Sequence, residues 1–334
     1  MTTQLTSTPI CILGLGLIGG SMLRDLKDAG HPAFGWNRSS ETVDAAVSEG
    51  YDASADLDAT LQRAQDEKAL IVIGTPMTVV GRMLDAIAEH APDCGITDVV
   101  SVKTAVLDAV REHNMQYRYV GAHPMAGSAK SGWDATVTGL FYGAPWVITY
   151  DLAEEMAEDD IDAELPESWL QTFRDVVSLG TRLGSEIVPA RSLAHDRAVA
   201  KISHMPHLVA YAVAVTGDAG GQLPMSLAAG SFRDGTRVAA AEPDMVLSWC
   251  DNNVEPVLGA LDEVIELLTD ARTELTTDGT ATRLSQAGFD ARTRFEARSG
   301  MRPVIRVSLN DDNWLDQLRH AESIGGRIDV FENT

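Results

Sequence analysis

Residues 10–21, with the sequence ICILGLGLIGGS, decide the fold of this 334-residue chain. The first four residues are apolar and predict a buried strand, and a helical pattern follows over residues 21–29. Between them lies a G-x-G-x-x-G turn. Such a turn needs glycine because the chain bends tightly, its N–H groups approach a pyrophosphate, and the helix packs closely on the strand. We therefore predict a dinucleotide-binding turn, with a glycine turn that binds no ligand as the alternative.

Composition and charge indicate an ordinary globular protein. A chain of this length with 45% hydrophobic residues can form two folded domains. The formal net charge of −23 repels nucleic acid and anionic lipid, so we expect neither as a partner. Cys11, Cys94 and Cys250 lie far apart and are expected to be reduced. No basic segment precedes the first apolar run and no segment reaches about 20 apolar residues, which predicts a cytoplasmic protein.

Short apolar segments alternate with helical patterns in the first part of the chain. This alternation predicts an α/β Rossmann domain with a doubly wound, mostly parallel sheet, whose ligands lie at the carboxyl ends of the strands. Residues 151–167 carry nine acids and no base, which predicts a solvated loop or helix face. The expected strands are residues 10–13, 33–36, 70–73, 98–102, 119–122, 146–149 and 185–188.

After Pro189 the pattern is helical up to about residue 300, which predicts an all-α second domain. Proline removes a backbone donor, so Met205-Pro206 is expected to kink the first long helix. We predict a dinucleotide-binding domain over residues 1–189, a helical domain for substrate binding and dimerisation over 190–300, and a short β-α-β tail over 301–334.

The residues after the second strand bear on the choice of cofactor. An acidic residue there would bind the ribose hydroxyls and repel a 2′-phosphate. The chain instead has the neutral Asn37, the cationic Arg38, and the hydroxyls of Ser39 and Ser40, which favours NADP over NAD. In the alternative, Arg38 only starts a helix and NAD binds through Asn37.

Three groups of histidines stand where chemistry is expected. His123 lies at the end of a predicted strand among small residues, where an imidazole can meet a bound substrate. His204 and His207 are three residues apart and therefore share a helix face. His195 could join them in a metal site, but no carboxylate lies at ligand spacing, so we expect no metal. Helix packing is the ordinary role of a lone histidine, but this pair faces an equally unusual group, a pair of arginines.

Arg233 and Arg237 are four residues apart and would share a face of a helix. Two guanidinium groups suit a substrate with two carboxylates, because each can bind an oxygen pair. In the alternative, both arginines pair with Asp234 and other surface acids of this acidic chain. The spacing alone does not distinguish the two hypotheses.

Taken in order, these segments resemble the prephenate and arogenate dehydrogenases of tyrosine biosynthesis. The resemblance covers about residues 9–300 and implies a Rossmann domain, a helical domain that forms a homodimer, and an active site between them. It further implies oxidative decarboxylation of arogenate or prephenate with NADP or NAD. It rests on residues 14–21, 100–103, 123–127, 195–196, 203–207 and 232–237.

The resemblance also implies a role for each matching residue. His123 would take the proton of the substrate's ring hydroxyl, and Ser101 would bond the same hydroxyl and help seat the nicotinamide. Arg237 would hold the ring carboxylate that leaves as CO2, while Arg233, His204 and His207 would line the rest of the pocket. The cofactor would be bound by Gly14, Leu15, Gly16, Leu17, Ile18, Gly19, Asn37, Arg38, Ser39, Thr75, Pro76 and Ser101.

One departure from the family concerns a tryptophan that usually follows the position of Pro243, where this chain has Val246 and, one turn later, Trp249. Two other functions share parts of the pattern. A β-hydroxyacid dehydrogenase or imine reductase would use a lysine one turn before an asparagine, whereas Lys201 has no such neighbour. A regulator that binds NADP without turnover would not need the serine, histidine and arginine together.

Overall fold

The computed structural model describes residues 5–127, 131–160, 164–298 and 302–331. The chain forms two compact units, Met1–His195 together with Pro303–Thr334, and Asp196–Arg302. The division therefore falls after His195 and not at Pro189, and the tail is part of the first unit. The reason is local bonding, because Ala190 N donates to Ile148 O at 3.0 Å and Ser192 N donates to Asp151 Oδ1 at 2.9 Å.

The strands of the first unit form three sheets among the described residues. Five parallel strands have the order β3-β2-β1-β4-β5, as in a nucleotide-binding fold. In the second sheet β6 is antiparallel to β7 and β8 is parallel to β7, and in the third β9 pairs with β10. The strands are β1 (Ile10–Leu13), β2 (Ala33–Trp36), β3 (Ala53–Ser54), β4 (Leu70–Ile73), β5 (Ile96–Asp98), β6 (Ala122–Pro124), β7 (Pro145–Ile148), β8 (Glu186–Pro189), β9 (Val304–Ser308) and β10 (Arg327–Phe331).

Helices join the parallel strands of the first unit and make up the second unit, which confirms the predicted α/β Rossmann domain and all-α domain. In chain order they are α1 (Leu17–Asp28), α2 (Ser40–Ser48), α3 (Leu57–Glu67), α4 (Val80–His90), α5 (Thr104–Glu112), α6 (Asp151–Asp159), α7 (Glu167–Arg182), α8 (Ser192–Val199), α9 (Met205–Ala219), α10 (Gln222–Leu227), α11 (Gly230–Thr236), α12 (Pro243–Cys250), α13 (Val254–Asp278), α14 (Thr282–Arg298) and α15 (Trp314–Ile324).

Two predicted strands are displaced in the structure. The strand expected at residues 98–102 is β5 and ends at Asp98, because Val100 N donates to the Asp98 carboxylate at 2.8 Å and the chain turns out of the sheet. The strand expected at 119–122 is β6, since Tyr119 makes only an isolated bridge to Ile96. Ser101 therefore lies in a loop beyond β5, and His123 lies within β6.

The sequence predicts that the acid-rich segment of residues 151–167 is solvated, but part of it is buried. Its first nine residues form α6, on which Glu154 is buried. Arg319 donates to both Glu154 oxygens, at 2.6 to 3.0 Å, so the buried charge is paired. The Asp151 carboxylate accepts hydrogen bonds from the backbone and hydroxyl of Ser192. Two of the acids thus connect α6 to other parts of the first unit.

The tail belongs to the hydrophobic core of the first unit. Val307 on β9, Leu318 on α15 and Ile328 on β10 are almost completely buried in the same cluster as residues of β1 and β4. The predicted β-α-β pattern is present, but the segment packs on the dinucleotide-binding fold. Cys94 is a buried free thiol whose pKa burial raises to about 11, as expected of a packing residue.

The first long helix of the second half contains an irregular turn. Residues Ala200–His204 are π-helical, with Met205 N donating to Ala200 O, and α9 continues beyond Pro206. The irregular turn thus lies directly before the proline, on the side where the proline ring crowds the helix. Among the described helices, Ser192–Ala219 is long and apolar enough to cross a membrane by length and composition alone, contrary to the expectation that no such segment exists. A single helix of this kind is weak evidence for a membrane span.

Candidate active site

The glycine turn between β1 and α1 has the close contacts that its sequence predicts. Gly14 has φ +113°, and a Cβ there would lie 2.8 Å from the Gly74 carbonyl oxygen. A Cβ on Gly19 would lie 1.9 Å from the Gly14 carbonyl oxygen, so a side chain would force the helix away from the turn. The turn and the helix are therefore packed as closely as a dinucleotide-binding turn requires.

The outer side of the same turn is open. A Cβ on Gly16 would meet nothing within 4 Å, and among the described residues no side chain caps the first turn of α1. The Thr75 hydroxyl oxygen after β4 is buried and has no hydrogen-bond partner in the described part of the chain. Uncapped N–H groups beside an open space and an unsatisfied hydroxyl fit a polar, anionic ligand such as a dinucleotide.

The loop after β2 contains the residues expected to contact the adenosine ribose. Ser39 caps α2 by accepting from Thr42 N at 3.3 Å, and Asn37 N donates to Ser54 O at 3.1 Å. Arg38 is exposed and precedes the cap, so it does not start the helix. Its guanidinium is therefore on the surface of the loop where a 2′-phosphate would have to be bound.

A buried network connects the loop of Ser101 to the strand of His123. Asp98 and Lys103 are fully buried and form an ion pair. Lys103 Nζ also donates to Ala122 O at 2.7 Å, and Tyr119 OH donates to Asp98 Oδ2 at 2.6 Å. Because Ser101 lies between the two charged residues and His123 follows Ala122, the network holds both backbone segments that carry the expected catalytic side chains.

His123 forms a hydrogen bond with His195. The distance from His123 Nδ1 to His195 Nε2 is 2.9 Å, and the ring planes are at 75°. His195 is 3% exposed, whereas His123 is half-buried. The structure therefore places His195 beside the expected base and not in a cluster with the two later histidines. Because Nδ1 of His123 forms this bond, a proton taken from a substrate would have to go to Nε2.

In the second unit, the histidine pair contacts one tryptophan. His204 stacks on Trp249 with ring centroids 6.0 Å apart, and His207 meets it edge-on at 5.3 Å. The two rings thus lie on one side of the helix. His204 is buried, and its Nδ1 lies 3.2 Å from Asn253 Nδ2, an amide group that also donates to Asp196 O. Because the amide donates, His204 Nδ1 accepts and its Nε2 carries the hydrogen.

The other expected pocket residues of the second unit are on its surface. Arg233 lies on α11, is 80% exposed, and is 3.6 Å from the exposed Asp234. Arg237 is also exposed and begins a 3₁₀ turn where α11 ends. Val246, at the family's usual tryptophan position, is buried in α12. Trp249 is thus a residue of α12 whose ring contacts both histidines.

Several of these residues could not be found from sequence patterns. His195 is 72 residues from His123, and no local spacing connects them. Asn253 lies 49 residues from His204. Asp98 and Lys103 had a recognisable position, because a charged pair flanks Ser101 at the end of a strand. Among the residues that the structure describes, no group of three or more potential metal ligands occurs.

Comparison with known proteins gives the family. Residues 22–160 match the family profile "Prephenate dehydrogenase, nucleotide-binding domain", and residues 191–288 match "Prephenate dehydrogenase, dimerization domain". The prephenate dehydrogenase of Bacillus subtilis is 33% identical over 276 residues, which cover 79% of this chain and 69% of that protein.

Solved structures are similar over most of the chain. A candidate prephenate dehydrogenase from Corynebacterium glutamicum is 50% identical, with a TM-score of 0.92, and the match covers 97% of this chain and 99% of that one. The arogenate dehydrogenase of Synechocystis is 29% identical, with a TM-score of 0.68, and the match covers 86% and 100%. The chain therefore belongs to the prephenate and arogenate dehydrogenase family, and the glycine turn, the His123 strand and the helical second unit are features of a member of this family.

Proposed function

We propose that the protein catalyses the oxidative decarboxylation of arogenate or prephenate, yielding tyrosine or 4-hydroxyphenylpyruvate, with NADP preferred over NAD. The observation that carries the proposal is His123, which is half-buried on β6 and whose Nδ1 forms a hydrogen bond with the buried His195. Family membership supports the same reaction. It does not favour the hydroxyacid dehydrogenase, the imine reductase or the non-catalytic regulator.

The chemistry needs a base and an ordered substrate. A nicotinamide nucleotide held by the glycine turn would supply the hydride acceptor for the ring carbon that carries the hydroxyl. His123 takes the hydroxyl proton as the C–H bond breaks, so a ketone forms. The bond to the ring carboxylate then breaks, its electron pair makes the ring aromatic, CO2 leaves, and the oxygen regains a proton. Ser101 donates a hydrogen bond to the same oxygen and orients it.

The charged residues of the second unit would select the substrate. Arg237 binds the ring carboxylate that is common to arogenate and prephenate, while Arg233, His204 and His207 face the side chain. None of these is acidic, which favours the keto group of prephenate over the ammonium of arogenate. NADP use often accompanies arogenate use in this family, and Asp234 is available to an ammonium. We propose that both bind, with a slight preference for arogenate in turnover.

The direct test is an assay of the purified protein with arogenate and prephenate separately, each with NADP and with NAD. Appearance of reduced nicotinamide together with CO2 supports the reaction. Binding of NADP without reduction in the presence of either compound would instead favour the regulator. Oxidation of a β-hydroxyacid or reduction of an imine, with no turnover of arogenate or prephenate, would favour the rival enzymes.

Arg237→Ala is expected to impair both substrates alike, since the ring carboxylate is the same in each. A charge-assisted hydrogen bond to a carboxylate contributes about 1.5–3 kcal/mol, which corresponds to roughly a ten- to hundredfold loss in kcat/KM. Steady-state kinetics with each substrate measures the loss. A large loss for one substrate and none for the other would remove Arg237 from the ring carboxylate.

The double variant Asn37→Asp, Arg38→Ala is expected to shift the cofactor preference toward NAD. The new carboxylate repels a 2′-phosphate and the lost guanidinium no longer binds it. The ratio of kcat/KM for NADP to that for NAD measures the change. Ser48→Ala, at the exposed last residue of α2, is the control on the same helix. A wild-type protein that already prefers NAD would contradict the proposed specificity.

We also propose that the protein is a cytoplasmic homodimer that uses its second unit for association. The buried cluster of that unit consists of Ala200, Val257 and Ala260 among the described residues. Its longest helix leaves large apolar side chains exposed, with Ile265 at 58% and Leu268 at 57%. Apolar surface of this kind is typical of protein–protein contacts, and the matched family profile is that of a dimerization domain.

A further inference from the structure

The hydrogen bond between His123 and His195 can exist in two forms. Either His123 Nδ1 carries the bridging hydrogen and His195 Nε2 accepts it, or the reverse. A neutral imidazole carries one hydrogen, so the first form leaves His123 Nε2 with a lone pair, and the second puts the hydrogen on that nitrogen. Only in the first form can His123 accept a proton from a substrate.

We infer that His195 is a positioning residue that holds His123 as the tautomer with hydrogen on Nδ1. The inference rests on the proposed function, which requires a lone pair on His123 Nε2. The 2.9 Å separation is that of a hydrogen bond in which one ring nitrogen donates and the other accepts. In many catalytic sites a carboxylate orients the base in this way, and here the imidazole of His195 occupies the position.

The surroundings of His195 make it a fixed partner. It lies in the first turn of α8, almost fully buried, and its backbone N–H donates to Arg191 O at 2.9 Å. The helix start is bound to the Asp151 carboxylate through Ser192, whose hydroxyl donates at 2.8 Å. On β6, the carbonyl oxygen of Ala122, the residue before His123, accepts a hydrogen bond from the buried Lys103. Both backbone segments are therefore held, so the imidazole of His195 fixes the ring of His123 in rotation as well as tautomer.

Two substitutions separate positioning from packing. His195→Gln retains a side-chain oxygen that can accept from His123 Nδ1, whereas His195→Leu fills the site without an acceptor. We expect His195→Leu to lower kcat by about ten- to hundredfold, as second-sphere substitutions commonly do, with KM for substrate and NADP nearly unchanged. His195→Gln is expected to restore most of kcat. Equal impairment of both variants, or normal kcat in His195→Leu, would overturn the inference.

A double-mutant cycle tests whether His195 acts through His123. In the His123→Asn background, adding His195→Leu is expected to leave the residual kcat unchanged within about twofold, because the group being positioned is already absent. A full additional loss would show that His195 acts independently and would overturn the inference.

Nitrogen-15 NMR of histidine side chains gives a readout that does not depend on turnover. At a pH where the imidazoles are neutral, wild-type His123 is expected to show a protonated Nδ1 and a bare Nε2, with its signals identified by their loss in His123→Asn. The tautomer preference should persist in His195→Gln and disappear in His195→Leu. A protonated Nε2 in the wild type would overturn the inference even if turnover is observed. Absence of turnover with this Nδ1–H tautomer present would instead contradict the proposed function.

Discussion

His123→Asn is expected to lower kcat by about 10² to 10⁴, the usual contribution of a general base. Asparagine keeps a polar side chain on β6 but cannot take up the proton that leaves the ring hydroxyl. Under the proposed function the cofactor is bound by the glycine turn and the loop after β2, so its affinity should change little. Steady-state kinetics at saturating substrate and titration of NADP binding measure the two effects separately.

The matched control is His320→Asn, an identical substitution at an exposed position of α15. It should leave both kcat and NADP affinity unchanged. Near-normal turnover of His123→Asn at saturating substrate would mean that another group is the base. An equal loss of NADP affinity would mean that the substitution disturbs the fold of the first unit and not the proton transfer.

Lys103→Met is expected to lower the free energy of unfolding of the first unit by about 3–5 kcal/mol. Methionine has a similar length, but it leaves the Asp98 carboxylate buried without its cation. An unpaired buried charge strongly destabilises the folded state. The Ala122 carbonyl next to His123 also loses its donor. Urea unfolding followed by the fluorescence of the buried Trp146 and Trp169 measures the change in this unit.

Lys201→Met provides the comparison with an exposed pair. Lys201 bonds Glu263 at 2.6 and 2.8 Å, but both side chains are more than half exposed, so the loss should be about 0–1 kcal/mol. The additional variant Asp98→Asn, Lys103→Met removes both charges and should recover part of the lost stability. If Lys103→Met unfolds like Lys201→Met, the buried pair does not hold the Ser101 loop to the His123 strand.

Local sequence patterns predicted the parts of the fold whose cause is local. The strand–turn–helix over residues 10–28 follows from apolar spacing and from Gly14 and Gly19, where a Cβ would clash with the backbone. The end of β5 was placed wrongly because residues 99–102 are β-branched or small, and nothing in their hydropathy reveals that the Asp98 side chain bonds Val100 N. Side chains that bond their own backbone override strand propensity.

The residues of the candidate site also fall into two groups, those that a sequence segment identifies and those that only the fold brings together. His123, Ser101 and Arg237 stand in segments that resemble a family, so their positions were accessible from the sequence, while their roles stay proposals. The partner of His123 was not accessible, because contacts between residues 72 positions apart depend on the packing of whole elements. The two acids of α6 that bond other parts of the first unit were misjudged for the same reason, since the base that pairs with Glu154 lies 165 residues away.

Because the tail packs in the first unit, the order of translation constrains the order in which the two units can fold. Val307, Leu318 and Ile328 complete a core whose other members are translated at the start of the chain. While the ribosome makes the helical unit, the nascent Rossmann domain keeps part of its apolar surface uncovered and Glu154 without its arginine. Domains usually fold as they emerge, the amino-terminal one first. Here the domain that begins first can be finished only after the other has been made.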